Sequence, residues 1–512
     1  MTDGEFDAAL DDALALANEA VAAGARRDPA GGSYGLYGPS RANGAGDAYR
    51  ASGRDDARRV TPADGAARGA VPGNGSGTGE APPAPADTPG PSAEIPVAPS
   101  PWPAARDIAR RAASGPLPPE TAALGDALGR TLAAPLAALT DLPSFDTSAM
   151  DGWAVSGPGP WHLDDAVGIL AGHAPAAPLS DGHAIAIATG ARVPAGATAV
   201  LRSEHGEVRE RSDGRPRLHA LRPASPGQDI RPRGQECRRG DDLLAAGALV
   251  TPAVLGLAAA AGYDELITHP RPRVDVFVLG DELLRHGLPH EGRIRDALGP
   301  MLGPWLHALG AEAAAPRHLA DDPDTLYAAI AGSRADVVIT TGGTAAGPVD
   351  HVHPTLRRLG SEVLVDGVEV RPGHPMLLAR ITPHRHLVGL PGNPLAAVSG
   401  LLTLAEPLLR TLSARRAPAA YRTPLWSSVH GHPRDTRLVP VGYRDDERYG
   451  LMAEPLHFHG PAMLRGIAAA DALAVIPPGG GDRGTEVDLL ELPWSADWSP
   501  PGAAHGPTGG AE

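Results

Sequence analysis

Three loops rich in Gly and Pro follow one another between residues 335 and 397: TTGGTAAGPVD (340 to 350), VRPGHP (370 to 375) and GLPGNP (389 to 394). Their residue types suit an anion. Gly342, Gly343, Pro391, Gly392, Asn393 and Pro394 shape turns in which backbone N–H groups come close to a ligand, and Arg371 and His374 bring positive charge. Asp350 offers a hard oxygen for a metal. Any one of these loops reads as well as a plain turn, because Gly and Pro punctuate every α/β fold. Three of them in one short stretch lean toward a shared site.

The elements that must hold these loops alternate between strand and helix over 271–414. ADVVIT and VDVFVL are continuous apolar, β-branched runs of the kind buried on both faces of a parallel sheet. Leu298, Leu302, Trp305, Leu306 and Leu309 mark one helix, DPDTLYAAIA a second, and LAAVSGLLTLAEPLLRTL a long third. The expected fold is multi-domain α/β plus β: a central doubly wound, mostly parallel α/β domain with β-rich flanking domains, its ligands at the carboxyl ends of the strands. Residues 156–250 read as β-rich, and 415–495 as a small β domain followed by a flexible tail over 496–512. Residues 101–155 and 251–270 read as a helical and linker region around the loop DLPSFDTSAMDGWAV. The first hundred residues form an extension. Residues 51–100 contain no Leu, Phe, Trp or Tyr, too little apolar surface to offset ordering, so a disordered linker is expected. Before it, Phe6, Leu10, Leu14, Ala17 and Val21 recur at helical spacing, as a fraying tail or a docking segment.

The 512 residues carry 45 basic and 60 acidic side chains, a net charge of -15, with 42% hydrophobic content. Such a balance supports several cores and argues against a general nucleic-acid surface, which needs a local excess of Lys and Arg. Cys237 is the only cysteine, which leaves no intrachain disulfide and no Cys-based metal cluster. The acidic N-terminus lacks the character of a signal peptide, and AVLGLAAAAG (253 to 262) is too short to span a bilayer. A cytoplasmic protein without membrane contact is expected.

SFDTSAMDGWAV, ATGARVPAGATAVLRSE, GDEL, GRIRD, TGG with Asp350, the PGxP loop and GLPGNP together resemble, in order over about residues 105–495, the molybdopterin molybdenumtransferase family, the bacterial MoeA and gephyrin E-domain proteins. The resemblance implies an elongated homodimer that inserts molybdate into adenylylated molybdopterin with Mg²⁺ present and AMP released. It implies, too, a site shared between the α/β domain of one subunit and the SAMDG region of the other. By the same likeness Asp350, Asp281, Glu282 and Asp151 are the catalytic acids, with Asp281, Glu282, Asp296 and Asp350 as metal ligands. Thr189, Gly342, Gly343, Arg371, His374 and the Pro391-Gly392-Asn393-Pro394 turn would contact the cofactor substrate. Asp321 and Asp322 fall where the family also has acids, although an Asp before Pro323 reads equally as a helix N-cap. Several positions depart from the family pattern. Ala345 and Ala396 replace serines, Arg371 and His374 replace lysines, and Leu279, Leu298 and Thr147 replace a threonine and two asparagines. The alternative reading is therefore a catalytically degenerate carrier or dimerisation partner of the same fold.

Overall fold

In the computed structural model the chain divides into two units, Met1–Gly90 and Pro91–Glu512. The structure describes residues 98–163, 168–173, 177–210, 215–344, 351–418 and 421–494, all within the second unit. The expected N-terminal helix, most of the linker, Ala345, Asp350 and the C-terminal tail lie outside the described residues.

Arg273–Leu279 and Val337–Thr341 form the middle of a seven-stranded sheet. Its order is Glu312–Ala313, Arg273–Leu279, Val337–Thr341, Arg385–Leu390, Leu377–Thr382, Glu362–Asp366, with Arg317–Leu319 also beside Arg273–Leu279. Pairing is parallel from Glu312–Ala313 to Arg385–Leu390 and antiparallel beyond. Successive side chains alternate between two cores, as a pleated strand requires. Val274, Val276 and Val278 pack with the helices Leu298–Ala308 and Pro394–Leu412, whereas Phe277 and Leu279 pack with Pro323–Gly332 and Val352–Arg358. This is the doubly wound α/β layer arrangement, with Gly280, Gly342 and Pro391 just past the carboxyl ends of three parallel strands.

Pro394–Leu412 has the length and apolarity to cross a bilayer, yet 89% of its most apolar stretch is buried inside the protein, as in a core helix. Its middle, Leu401–Ala405, is π-helical: the Glu406 N–H reaches back to the Leu401 carbonyl. The next residue, Pro407, has no N–H to offer. The Leu402 carbonyl instead accepts from Arg106 of the helix Trp102–Ala112, and the Trp102 indole N–H donates to Thr403 Oγ1 at 3.0 Å. Trp102–Ala112 thus belongs to the α/β core rather than to the linker region expected for it.

Two further differences from the sequence expectations concern strands. A six-stranded sheet runs Gly206–Arg209, Arg217–Ala220, Trp161–Leu163, His183–Ile187, Gly152–Val155, Ala199–Arg202. Gly152–Val155 is the end of the SAMDGWAV string and pairs on both edges, so the β-rich region starts before residue 156. Separately, Glu120–Ala123, Glu265–His269 and Thr131–Leu132 form a three-stranded sheet where helix was expected. Non-local pairing overrides the weak helical preference of these short segments. The helix Pro252–Ala260 lies against this sheet and is apolar on every side, but only its Ala258 is buried.

The C-terminal sheet is ordered Ser100–Pro101, Val368–Arg371, Thr436–Asp446, Ala472–Ile476, Glu486–Glu491, Arg422–Pro424, with Gly450–Pro455 beside Thr436–Asp446. Two of its strands come from outside 415–495. Val368–Arg371 leaves the α/β segment to pair in parallel with Thr436–Asp446, and Ser100–Pro101 pairs in parallel with Val368–Arg371. The boundary expected at 414/415 is therefore crossed by a strand, and ordered chain begins before residue 101.

Candidate functional site

The excursion of Val368–Arg371 into the C-terminal sheet decides where the VRPGHP loop sits. Arg371 is the direct cross-strand partner of Arg437, so the two guanidinium groups share a face. Both line a 450 Å³ cavity with His374, Ala396, His459 and Asn393. Like charges placed side by side across strands repel, and here each has a neighbour that holds it. Arg371 donates Nε–H to Asp435 Oδ2 at 2.7 Å. Arg437 bonds the His430 carbonyl, and its Nη2 lies 3.5 Å from His459 Nδ1. His374 donates Nδ1–H to the Val368 carbonyl at 2.7 Å, which leaves Nε2 as its remaining polar atom.

The turns around this cavity are tight. At Gly373, with φ of +113°, an added Cβ would stand 3.0 Å from the Ala396 carbonyl, so the loop lies flat on the first turn of the helix behind GLPGNP. That turn is not open to an anion at its first two amides: Leu395 and Ala396 both donate to the Pro461 carbonyl, at 2.9 and 3.3 Å. The charge in this cavity comes from side chains.

Asn393 also lines a second cavity of 530 Å³, bounded by Glu282, Arg295, Asp296, Thr341, Gly342 and Gly392 among others. The TGG and PGN turns meet here. Gly342 donates its N–H to the Leu390 carbonyl at 2.8 Å, and its Cα is 3.8 Å from where a Cβ on Gly392 would sit. Gly342 and Gly343 have φ of +83° and +65°, the left-handed region that glycine enters without strain. Two cavities thus share one turn, the first cationic and the second mixed in charge.

The predicted acids divide among different places. Glu282 and Asp296 line the second cavity, but Asp296 is buried and already engaged. Its Oδ1 accepts from the Leu298 and Gly299 amides at 2.9 Å each, and its Oδ2 is 2.8 Å from His318 Nε2. The metal-ligand role expected of Asp296 is thereby narrowed to whatever valence those bonds leave. Asp281 lines neither cavity; its amide donates to Asp321. Asp322 is a helix cap, accepting from the Thr325 amide at 2.7 Å, and those bonds hold its carboxyl below the usual range. Among the described residues, no three His, Cys, Asp or Glu side chains converge to hold a metal. Asp151 and Thr189 do come together, the Asp151 carboxylate accepting the Thr189 amide at 2.7 Å. They flank the strands Gly152–Val155 and His183–Ile187 of the six-stranded sheet and line neither cavity. Asp350 and Ala345 lie outside the described residues.

Sequence reasoning missed Arg437, His459 and Arg295. RLVPVGY read only as a strand, and nothing local in it announces that its first residue lies opposite Arg371.

Models described as the MoeA N-terminal region (domain I and II), the probable molybdopterin binding domain and the MoeA C-terminal region (domain IV) match residues 101–262, 275–411 and 422–492. A molybdopterin molybdenumtransferase of Synechococcus elongatus is 35% identical over 401 residues, covering 74% of this chain and 95% of that protein. One from Bacillus subtilis is 30% identical over 404 residues, covering 73% and 92%. A solved structure of the molybdopterin biosynthesis MoeA protein from Pyrococcus horikosii superposes with a TM-score of 0.60 at 26% identity, covering 77% of this chain and 98% of its own. With three consecutive regions matched in order and relatives aligned over nearly their whole length, the chain belongs to the molybdopterin molybdenumtransferase family.

Proposed function

We infer that the protein is a transferase of molybdenum cofactor biosynthesis, which inserts molybdenum from molybdate into adenylylated molybdopterin and releases AMP. The observation that carries this reading is the in-register pair Arg371 and Arg437 facing a cavity that shares Asn393 with a second one. A tetrahedral oxyanion stabilises two adjacent guanidinium groups that otherwise repel, and charge-assisted bonds of this kind are the strong ones. In the cationic cavity Arg371 and Arg437 hold molybdate, and His374 adds a polar contact through Nε2. In the adjoining cavity Arg295 and the Gly342 and Gly392 turns receive the phosphate-bearing part of the adenylylated pterin, and Asn393 stands between the reacting groups. The family likeness favours catalysis over a carrier role, and Arg437 supplies the charge that substitution of the family's second lysine by His374 takes away.

Mg²⁺ fits this chain as an ion shared with substrate phosphates. Mg²⁺ takes one or two carboxylates and completes its shell with phosphate and water, and Glu282 with the free valence of Asp296 meets that minimum. When bound, the ion would neutralise charge on the departing phosphate. Glu282 would hold it, beside an Asp296 carboxylate fixed by the helix amides and His318.

The homodimer is proposed on the helix Pro252–Ala260. A helix apolar on all sides belongs in an interior, yet Ala253, Gly256 and Ala260 are exposed. By the family likeness, such a dimer would set the SAMDG region of one subunit, with Asp151 and Thr189, toward the α/β domain of the other. Molybdate-dependent AMP release from adenylylated molybdopterin by the pure protein tests the function directly. Turnover that rises with molybdate supports it, and AMP release indifferent to molybdate would sink it.

A further inference from the structure

Within the cationic cavity the two arginines are not held alike. Asp435 is nearly buried, its side chain 9% exposed, whereas that of Arg371 is 52% exposed. The bond between them uses Nε of Arg371 and Oδ2 of Asp435 at 2.7 Å. A guanidinium anchored through Nε keeps both terminal NH₂ groups on its outer edge, and among the described residues neither of these makes a hydrogen bond. Asp435 is itself fixed. Its amide donates to His432 Nδ1 at 2.9 Å, which pins its backbone at the turn before the strand, and its carboxylate is held by Arg371 itself. Asp435 directly precedes Thr436, the partner of Val370 in the strand pair that sets Arg371 beside Arg437.

We propose that Asp435 is a positioning residue for anion binding: by clamping Nε of Arg371 it aims the two terminal NH₂ groups at an oxyanion seated between Arg371 and Arg437. The proposal rests on the reading of this cavity as the molybdate site. A lysine could not take the same part, since its ammonium is a single point charge that Asp435 would hold away from the anion. Arg371 and Asp435 therefore act as a unit.

The sign of one substitution separates a clamp from a mere counter-charge. Removing a carboxylate beside a cationic cavity should, by Coulomb's law alone, tighten anion binding. The clamp requires the reverse. In titration calorimetry with sodium molybdate, Asp435→Asn should bind molybdate about tenfold or more weakly than the natural protein, the scale of one misdirected charge-assisted contact. Its KM for adenylylated molybdopterin should stay within about twofold, which a general loss of fold would not allow. Arg371→Lys should lose a similar factor while Asp435 is present and regain part of it in the Arg371→Lys, Asp435→Asn double variant, where the ammonium is free to turn to the anion. Equal or tighter binding by Asp435→Asn, with Arg371→Ala weakened, overturns the clamp and leaves the cavity assignment standing. Molybdate binding that Arg371→Ala leaves unchanged overturns the assignment and the clamp together. Should Asp435→Asn fail to fold, Arg371→Lys carries the test alone, and natural affinity in that variant overturns the proposal.

Discussion

Arg437→Ala is expected to separate binding from stability. Molybdate affinity should fall about tenfold or more, because one of two guanidinium contacts is lost. The melting temperature should hold or rise, since the substitution relieves a like-charge cross-strand pair. Calorimetry and a thermal melt on the same sample read both. A second residue-scale prediction concerns His386, fully buried, with Nε2 donating to the Ala112 carbonyl at 3.1 Å. Burial pushes its pKa below the ordinary 6.5. Once pH drops below that value the unfolded chain takes up a proton that the folded chain refuses. Stability therefore declines as pH falls through that point, and the loss ends when the folded pKa is reached. His386→Gln keeps an N–H donor and cannot titrate, so its melting temperature should drop less than that of the natural protein between about pH 7 and pH 5. At this scale the sequence showed the turn glycines by residue type, and Asp151 and Thr189 singly, by likeness alone. It could not show Arg437, whose role exists only through a strand partner far along the chain.

Among elements, the helix Leu298–Ala308 shows how a binding wall is fixed by packing. Asp296 reaches over its first turn because Gly299 leaves room: a Cβ there would stand 2.2 Å from Asp296 Oδ2. Gly299→Ala should cost about 1–3 kcal/mol in urea unfolding, and the displaced Asp296 should raise the KM for adenylylated molybdopterin. A stability change without any change in KM would show that Asp296 is only a cap. The parallel strands and their flanking helices were readable from apolar runs, since burial on both faces leaves a plain signature. Glu120–Ala123 and Val368–Arg371 were not. Both are short, and what makes them strands is an edge supplied by distant chain.

For the whole molecule, Ala260→Glu tests the proposed homodimer. Its side chain is exposed, so the fold should tolerate the charge, while a covering second copy would not. Light scattering should report a dimer for the natural protein and a monomer mass for Ala260→Glu, with similar melting temperatures under dilute conditions. A monomer in both cases would remove the helix Pro252–Ala260 from any self-association.

The strand Val368–Arg371, hydrogen-bonded to Ser100–Pro101 on one side and Thr436–Asp446 on the other, sets an order of events on the ribosome. Translation delivers Ser100–Pro101 long before Val368–Arg371, and Thr436–Asp446 later still. Closing such distant loops is slow and rewards the chain only at the end. The α/β layers hold most of their partners within 273–412 and can condense while the ribosome is still working. The cationic cavity cannot, because one of its two arginines waits on the last strands to emerge. A nascent chain would thus hold a formed α/β body before it can hold an oxyanion, and ligand capture becomes a mark of completed synthesis.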